Sequence, residues 1–208
     1  MKTLPRLPLI ACCAVLAGFA VEPSAPLFEN DSVKIVRALE KAHVKGGFHE
    51  HKPNRVMVYL QSGKQRFEYQ NGRKPAEFDW KAGQVVWSPA DGMHSPEVIS
   101  DQPFNIIEVE LKKAGGKSAP VGAHDALKAD PKHYKLEFEN DQVRVLRMTL
   151  GAHESTPQVT YSRSAVEIFL TNQGTHKAGE AIWVDPGMRN EENTGASQSE
   201  AIIVEVKG

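Results

Sequence analysis

From Val33 onward the chain reads as short apolar runs cut by turn residues. KIVRALE, RVMVYLQ, KQRFEYQ, QVVWSP and FNIIEVELK are rich in β-branched and aromatic residues, and several alternate apolar with polar positions. A period of two is that of a strand, whose successive side chains point to opposite faces. Gly46-Gly47, Ser62-Gly63, Asn71-Gly72 and Asp91-Gly92 punctuate the runs, and Asn71-Gly72, between RFEYQ and PAEFDW, is a strong hairpin signal. No stretch carries a long 3.6-residue period. The pattern predicts an all-β sandwich or barrel.

Residues 114–133, AGGKSAPVGAHDALKADPKH, break the pattern with Gly, Ala, Pro and Lys and read as a linker with one short helical turn. Strands then resume in KLEFEN, QVRVLRMTL, AVEIFLT, EAIWVD and EAIIVEVK. The second series repeats the first. FENDSVKIVR from Phe28 returns as FENDQVRVLR from Phe138, a spacing of 110 residues, and Tyr59-Leu60 answers to Phe169-Leu170 at the same spacing. Ala82-Gly83 and Trp87 then match Ala178-Gly179 and Trp183, because the second copy has a shorter central hairpin. A spacing this long marks a duplicated domain and not a solenoid. The expected organisation is a first β-domain over 27–113, the linker, and a second over 134–208.

The first 25 residues are of another kind. Lys2 and Arg6 precede the apolar stretch LPLIACCAVLAGFAV, and small residues at Gly18-Phe19-Ala20 or Pro23-Ser24-Ala25 offer a cleavage point. This reads as a secretory signal peptide over residues 1–25, with a periplasmic or secreted product. The stretch is too short for a transmembrane anchor and contains Pro8. Leu9-Ile10-Ala11-Cys12 also resembles a lipoprotein cleavage box, although little apolar chain precedes it. Cys12 and Cys13 are the only cysteines, so a cleaved chain has no disulfide and rests on its core or on a metal. The formal net charge of −1 offers no basic stripe for nucleic acid. The expected partner is a small molecule, with no membrane contact after cleavage; a homodimer is compatible with the sequence.

Chemistry is concentrated in two segments. In GGFHEHKPNRVMVYLQSG, His49 and His51 stand one residue apart in a strand, so both imidazoles face one way. AGQVVWSPADGMH supplies His94 some forty residues later. Three neutral imidazoles converging inside a small barrel can hold a divalent ion at about 2.0–2.2 Å and leave positions open for water or substrate. No GxSxG, P-loop, dinucleotide fingerprint or CxxC pair is present in the sequence.

These two segments resemble the paired motifs of the cupin superfamily. Gly46 or Gly47, His49, His51 and Gly63 match the first motif; Gly83, Pro89 and His94 match the second, with its inner glycine displaced to Gly92. The resemblance covers the first domain fully and the second as a degenerate copy. It implies two tandem cupin domains of double-stranded β-helix, or jelly-roll, type, a bicupin with one intact motif pair. It also implies one divalent ion, manganese, iron, zinc or nickel, on His49, His51 and His94. Where the family places a glutamate ligand this chain has Arg55 or Val56, and Val98 replaces the asparagine after the third histidine. The expectation is therefore a three-histidine site lacking a carboxylate, with Arg55 either a clamp for a substrate carboxylate or oxyanion, or a solvated rim residue.

In the second copy His49 becomes Val159, His51 becomes Tyr161 and His94 becomes Arg189. The fold is written twice and the metal site once. His43 recurs as His153 in the copy without ligands, so it is expected to be structural. His124, His133 and His176 are expected on the surface, and Glu50 points away from its histidine neighbours. Met57 and Tyr59 share the phase of Arg55 and line either a pocket or plain core; Trp87, echoed by Trp183, is expected in packing. Two functions compete. One is a metal-dependent oxygenase, isomerase or lyase acting on a small oxygenated or anionic molecule. The other is a non-catalytic protein that holds a metal or small ligand. A fold with fossil histidines is a third, and cupin resemblance alone does not choose among them.

Overall fold

The computed structural model describes residues 26–70, 72–116 and 122–208. The leader 1–25 with both cysteines, Asn71 of the hairpin signal, and residues 117–121 of the linker lie outside the described residues. The expected β-rich pattern is present throughout the rest. In the N-terminal half the strands are β1 (Phe28–Glu29), β2 (Val33–Glu40), β3 (His49–His51), β4 (Arg55–Tyr59) and β5 (Gly63–Tyr69). They continue with β6 (Ala76–Trp80), β7 (Val85–Ser88), β8 (Asp91–Val98) and β9 (Phe104–Leu111). The helix α1 (Ala126–Ala129) is the short turn expected in the linker. The C-terminal half contains β10 (Tyr134–Glu139), β11 (Val143–Leu150), β12 (Val159–Tyr161) and β13 (Ala165–Phe169), then β14 (Ala181–Val184), β15 (Gly187–Arg189) and β16 (Ser199–Val206). Among the described residues no helix is long and apolar enough to cross a membrane.

The two halves build the same main sheet. Strands run β1-β2-β9-β4-β7 in the first and β10-β11-β16-β13-β14 in the second, all antiparallel. The remaining strands differ. The N-terminal half closes with a four-stranded sheet, β3-β8-β5-β6, whereas the C-terminal half has only the pair β12-β15. Where β5 and β6 would stand, the chain turns tightly through the bridge Gln173–His176. β8 was legible in the sequence only as a turn, because Pro89-Ala90-Asp91-Gly92 opens it and Pro96 interrupts it. Pairing on both sides, with β3 and β5, carries it as a strand.

The main sheets pack back to back through their outward faces. Val33, Ile35, Val56, Val58, Ile107, Val109 and Leu111 meet Val143, Val145, Val166, Ile168, Ile202, Val204 and Val206 in one buried cluster. Each such side chain contributes about 1.5–3 kcal/mol on burial, so this layer is the principal bond between the halves. Its edges are reciprocal. Phe28 stacks on Trp183 with ring centroids 5.9 Å apart, and Phe138 meets Trp87 at 6.4 Å. Arg37 donates from Nη2 to the Gly179 carbonyl at 2.6 Å, and Arg147 donates from Nη2 to the Gly83 carbonyl at 2.7 Å. Gly83 and Gly179 both have positive φ, 77° and 84°. A Cβ on either would lie 3.2 or 3.1 Å from the opposing leucine, Leu170 or Leu60. Glycine is required at both places for conformation and for close approach.

This reciprocity explains the repeated FEND segment. Asn30 accepts from the Ser32 and Val33 amides, and Asn140 from those of Gln142 and Val143. Each asparagine so closes the turn that aims its phenylalanine across the seam. Trp87 and Trp183 are packing residues, as their repetition suggests.

Candidate metal centre

β3 and β8 are neighbours, and their register sets His49 directly opposite His94. His51 lies two residues along the same strand and therefore on the same face. The three imidazoles cluster with ring centroids 4.8, 4.8 and 5.3 Å apart. One ring nitrogen from each lies within 4.8 Å of the others. His49 is exposed, His51 half-buried and His94 buried, so the cluster opens to solvent on the His49 side.

Backbone carbonyls fix the tautomers of two of the three. His49 Nδ1 is 2.9 Å from the Gly47 carbonyl, and His94 Nδ1 is 3.0 Å from the Gly92 carbonyl. A carbonyl only accepts, so each Nδ1 carries the proton and each neutral ring keeps its lone pair on Nε2. This orienting contact is the one that metal-ligating histidines commonly make. Burial pushes the His94 pKa down, with smaller contributions from His49 and Arg55, against the raising effect of the Gly92 carbonyl. The residues present fit a divalent ion.

The expected absence of a carboxylate is corrected. Glu108 and Glu110 on β9 reach His51, and their carboxylates and its imidazole form a second group within 4.8 Å. Facing positions across β4 and β9 explain this: Met57 pairs with Glu108 and Arg55 with Glu110. The glutamate sought on β4 has its counterpart on the neighbouring strand. Motif spacing could not find these carboxylates, since both lie outside the two motif segments. One signal was present: FNIIEVELK switches its inward positions from Phe104 and Ile106 to Glu108 and Glu110, and the second copy repeats Glu110 as Glu205 but has Ile203 in the place of Glu108.

Arg55 is no rim residue. It is 5% exposed and Glu108 6%. Its Nη1 lies 3.4 Å from Glu108 Oε2, but Nε and Nη1 are left without a hydrogen bond. Burial raises the Glu108 pKa and Arg55 opposes that rise. Deeper in the same interior, Gln65 donates to Glu40 at 2.6 Å and accepts from Tyr59 Oη at 3.1 Å and Trp80 Nε1 at 2.9 Å. Burial lifts the Glu40 pKa to about 7, with Gln65 opposing and Glu108 adding to the rise. Sequence reading did not single out Glu40 or Gln65. Met57 and Tyr59 belong to the buried apolar cluster with Val98, Phe104 and Ile106, which favours their reading as core.

The other histidines sort by environment. His43 and His153 both have positive φ, 58° and 57°. They are repeated for a left-handed turn position and lie apart from the cluster. His124 is exposed. His133 is buried, at 7% exposure, and not on the surface as expected. Its Nδ1 meets Asp130 at 2.7 Å and its Nε2 meets Glu154 at 3.2 Å. Two flanking carboxylates make that burial affordable, and they lie too far apart in sequence to be read together. His176 is half-buried, stacked on Phe169 at 4.3 Å. Glu50 is exposed and faces Lys52, away from the cluster.

In the C-terminal half, β12 and β15 pair Val159 with Arg189, the register of His49 with His94. The ligand positions hold Val159, Tyr161 and Arg189, with the Arg189 guanidinium 4.4 Å over the Tyr161 ring. Nothing there can ligate as the three histidines can.

No protein-family model matches the sequence, and no curated protein matches it. Solved structures do. AerE from Microcystis aeruginosa is similar over 88% of this chain and 97% of its own, with a TM-score of 0.62 and 12% identity. A cupin 2 conserved barrel domain protein from Leptotrichia buccalis is similar over 88% of each chain, with a TM-score of 0.56 and 13% identity. An oxalate decarboxylase variant from Bacillus subtilis is similar over 85% of this chain and 69% of its own, with a TM-score of 0.52 and 12% identity. The chain has the fold of cupin proteins, with a histidine and glutamate cluster able to hold a metal.

Proposed function

We propose that this chain is an exported bicupin whose N-terminal domain holds one divalent metal ion and acts on a small oxygenated or anionic organic molecule. His49, His51 and His94 would be the ligands, with Glu108 as the carboxylate. The C-terminal domain would be a metal-free copy that supports the first. The observation that carries the reading is the set of three imidazoles, two of them held by backbone carbonyls with Nε2 free to ligate. The leader pattern of residues 1–25 supports export.

A bound divalent ion supplies Lewis acidity at this site, or oxygen activation if it is iron. The chain's own residues do the rest. His49, on the exposed side, marks the way in. Arg55 offers a buried positive charge with two nitrogens lacking acceptors, suited to an anionic oxygen of the substrate. Glu40, lifted to about 7, can hold or release a proton near neutral pH. Met57, Phe104 and Ile106 exclude water from the inner wall.

The test is the metal content of protein purified without a histidine tag, and of His49→Ala. His49 is exposed, so its loss spares the core. We expect about one ion per chain in the wild type and a residual trace in the variant, with the two metal-free proteins melting at the same temperature. Wild-type protein that takes up no divalent ion at neutral pH overturns the reading.

A further inference from the structure

Resting on that reading, we propose that Glu108 exchanges partners between Arg55 and the metal centre, so that an oxyanion at Arg55 and a metal at the histidines strengthen each other's binding. Glu108 has two places to go. On one side is Arg55, whose Nη1 lies 3.4 Å away without closing a hydrogen bond. On the other is His51, within 4.8 Å of a Glu108 oxygen. Both members of the ion pair are buried, so neither charge is relieved by water.

The charges dictate the coupling. Arg55 and Glu108 together are neutral. A divalent ion at the histidines attracts Glu108 toward His51 and leaves the Arg55 guanidinium without a counter-charge in a low-dielectric place, which is costly. A small oxyanion from solution restores neutrality and gives Nε and Nη1 the acceptors they lack. In the other direction, an oxyanion at Arg55 displaces Glu108, whose charge then requires the metal. Glu110 also reaches His51, but it pairs with Lys34 at 3.6 Å and is more exposed than Glu108, so Glu108 is the carboxylate held between Arg55 and the histidines. The ligand class is a small carboxylate or similar oxyanion. The coupling must be reciprocal, because both ligands act on one equilibrium.

Calorimetric titration of metal-free protein tests this with Co²⁺ and acetate as probes. We expect saturating acetate to tighten Co²⁺ binding at least about 5-fold, the lower end of ordinary coupling between sites, and Co²⁺ to tighten acetate by the same factor. In Glu108→Gln, nearly the same shape without the charge, Co²⁺ should bind more weakly and acetate should no longer change its affinity. Co²⁺ binding in the wild type that is indifferent to acetate overturns the exchange and leaves the metal centre standing. Full coupling retained in Glu108→Gln also overturns it, since acetate would then be bridging metal and Arg55 directly. Failure of the wild type to bind Co²⁺ at all removes the underlying reading instead.

Discussion

The two halves share the outer face of a sheet and differ on the inner one. Across the seam, Val33, Ile35, Val56 and Val58 answer to Val143, Val145, Val166 and Ile168. Inside, Arg55, Met57, Tyr59 and Glu108 stand where the C-terminal half has Ala165, Glu167, Phe169 and Ile203. The outer faces hold each other in place, so a change on one must be matched on the other. The inner faces have no such constraint. One became polar and open at His49; the other filled with Leu146, Met148, Leu150, Tyr161 and Ile203. The linker completes that filling, since Ala126 of α1 packs into the same cluster and Asp125 bridges to Thr160 on β12. The segment equivalent to the histidine strand is thus covered by chain that has no counterpart over β3 among the described residues.

The linker anchor gives the largest expected difference between the halves. Asp125 accepts two bonds from Arg144, at 2.6 and 2.9 Å, and Glu205 a third at 3.2 Å, all buried. The corresponding pair in the N-terminal half is Lys34 with Glu110 at 3.6 Å, partly in solvent. Removing one member of a buried ion cluster leaves charge unpaired, so Asp125→Ala should cost about 3 kcal/mol by urea denaturation. Lys34→Ala should cost less than about 1 kcal/mol. Equal costs would mean that the linker does not plug the C-terminal half.

The seam offers a closer match. Arg37→Ala and Arg147→Ala each remove a part-buried bond from a charged donor to a turn carbonyl, about 1.5–3 kcal/mol. Arg147 also binds Glu137 and Glu200, whereas Arg37 has Asn105 at 3.3 Å. We expect both variants to melt lower, by comparable amounts. An effect confined to one of them would show that the seam is not reciprocal in energy.

Much of this was legible in the sequence, and the rest was hidden for identifiable reasons. Strand period, the FEND repeat and the HxH pair are local patterns, and they pointed to the β-fold, the duplicated sheet and the histidine cluster. Glu40, Gln65 and Glu108 come from three different strands, β2, β5 and β9, and no motif spacing connects them to His49; only the polar switch in FNIIEVELK marked Glu108. Arg55 was visible, but its partner was not, so its environment had to be left open between a clamp and the rim. His133 failed for the same reason: its burial depends on Asp130 nearby and on Glu154, 21 residues further on. Linker composition marked a break between the strand series and one helical turn, but not the contacts that fix Asp125 and Ala126 against the C-terminal half.

The last prediction uses pH to separate the two interiors. Glu167 occupies the position of Met57, is 2% exposed, and has one oxygen without a partner. Burial raises its pKa to about 8, Glu191 adds to the rise and Arg189 opposes it. In the unfolded chain the carboxyl loses its proton near its ordinary value of 4.5. Between the two values the folded state holds a proton that the unfolded state has released, so the contribution to stability falls as pH rises and levels off above about 8. Met57 has nothing to titrate. Glu167→Gln should match the wild type near pH 5 and exceed it by at least about 1 kcal/mol at pH 8, with Glu191 sharing the same titration. Some slope should persist in the variant, because Glu40, raised to about 7 in the other half, acts in the same direction. Urea denaturation of both proteins at the two pH values decides it. A variant that keeps the whole wild-type slope would show that Glu167 is not the group responsible, since burial also raises Glu191 and Glu205 in the same half.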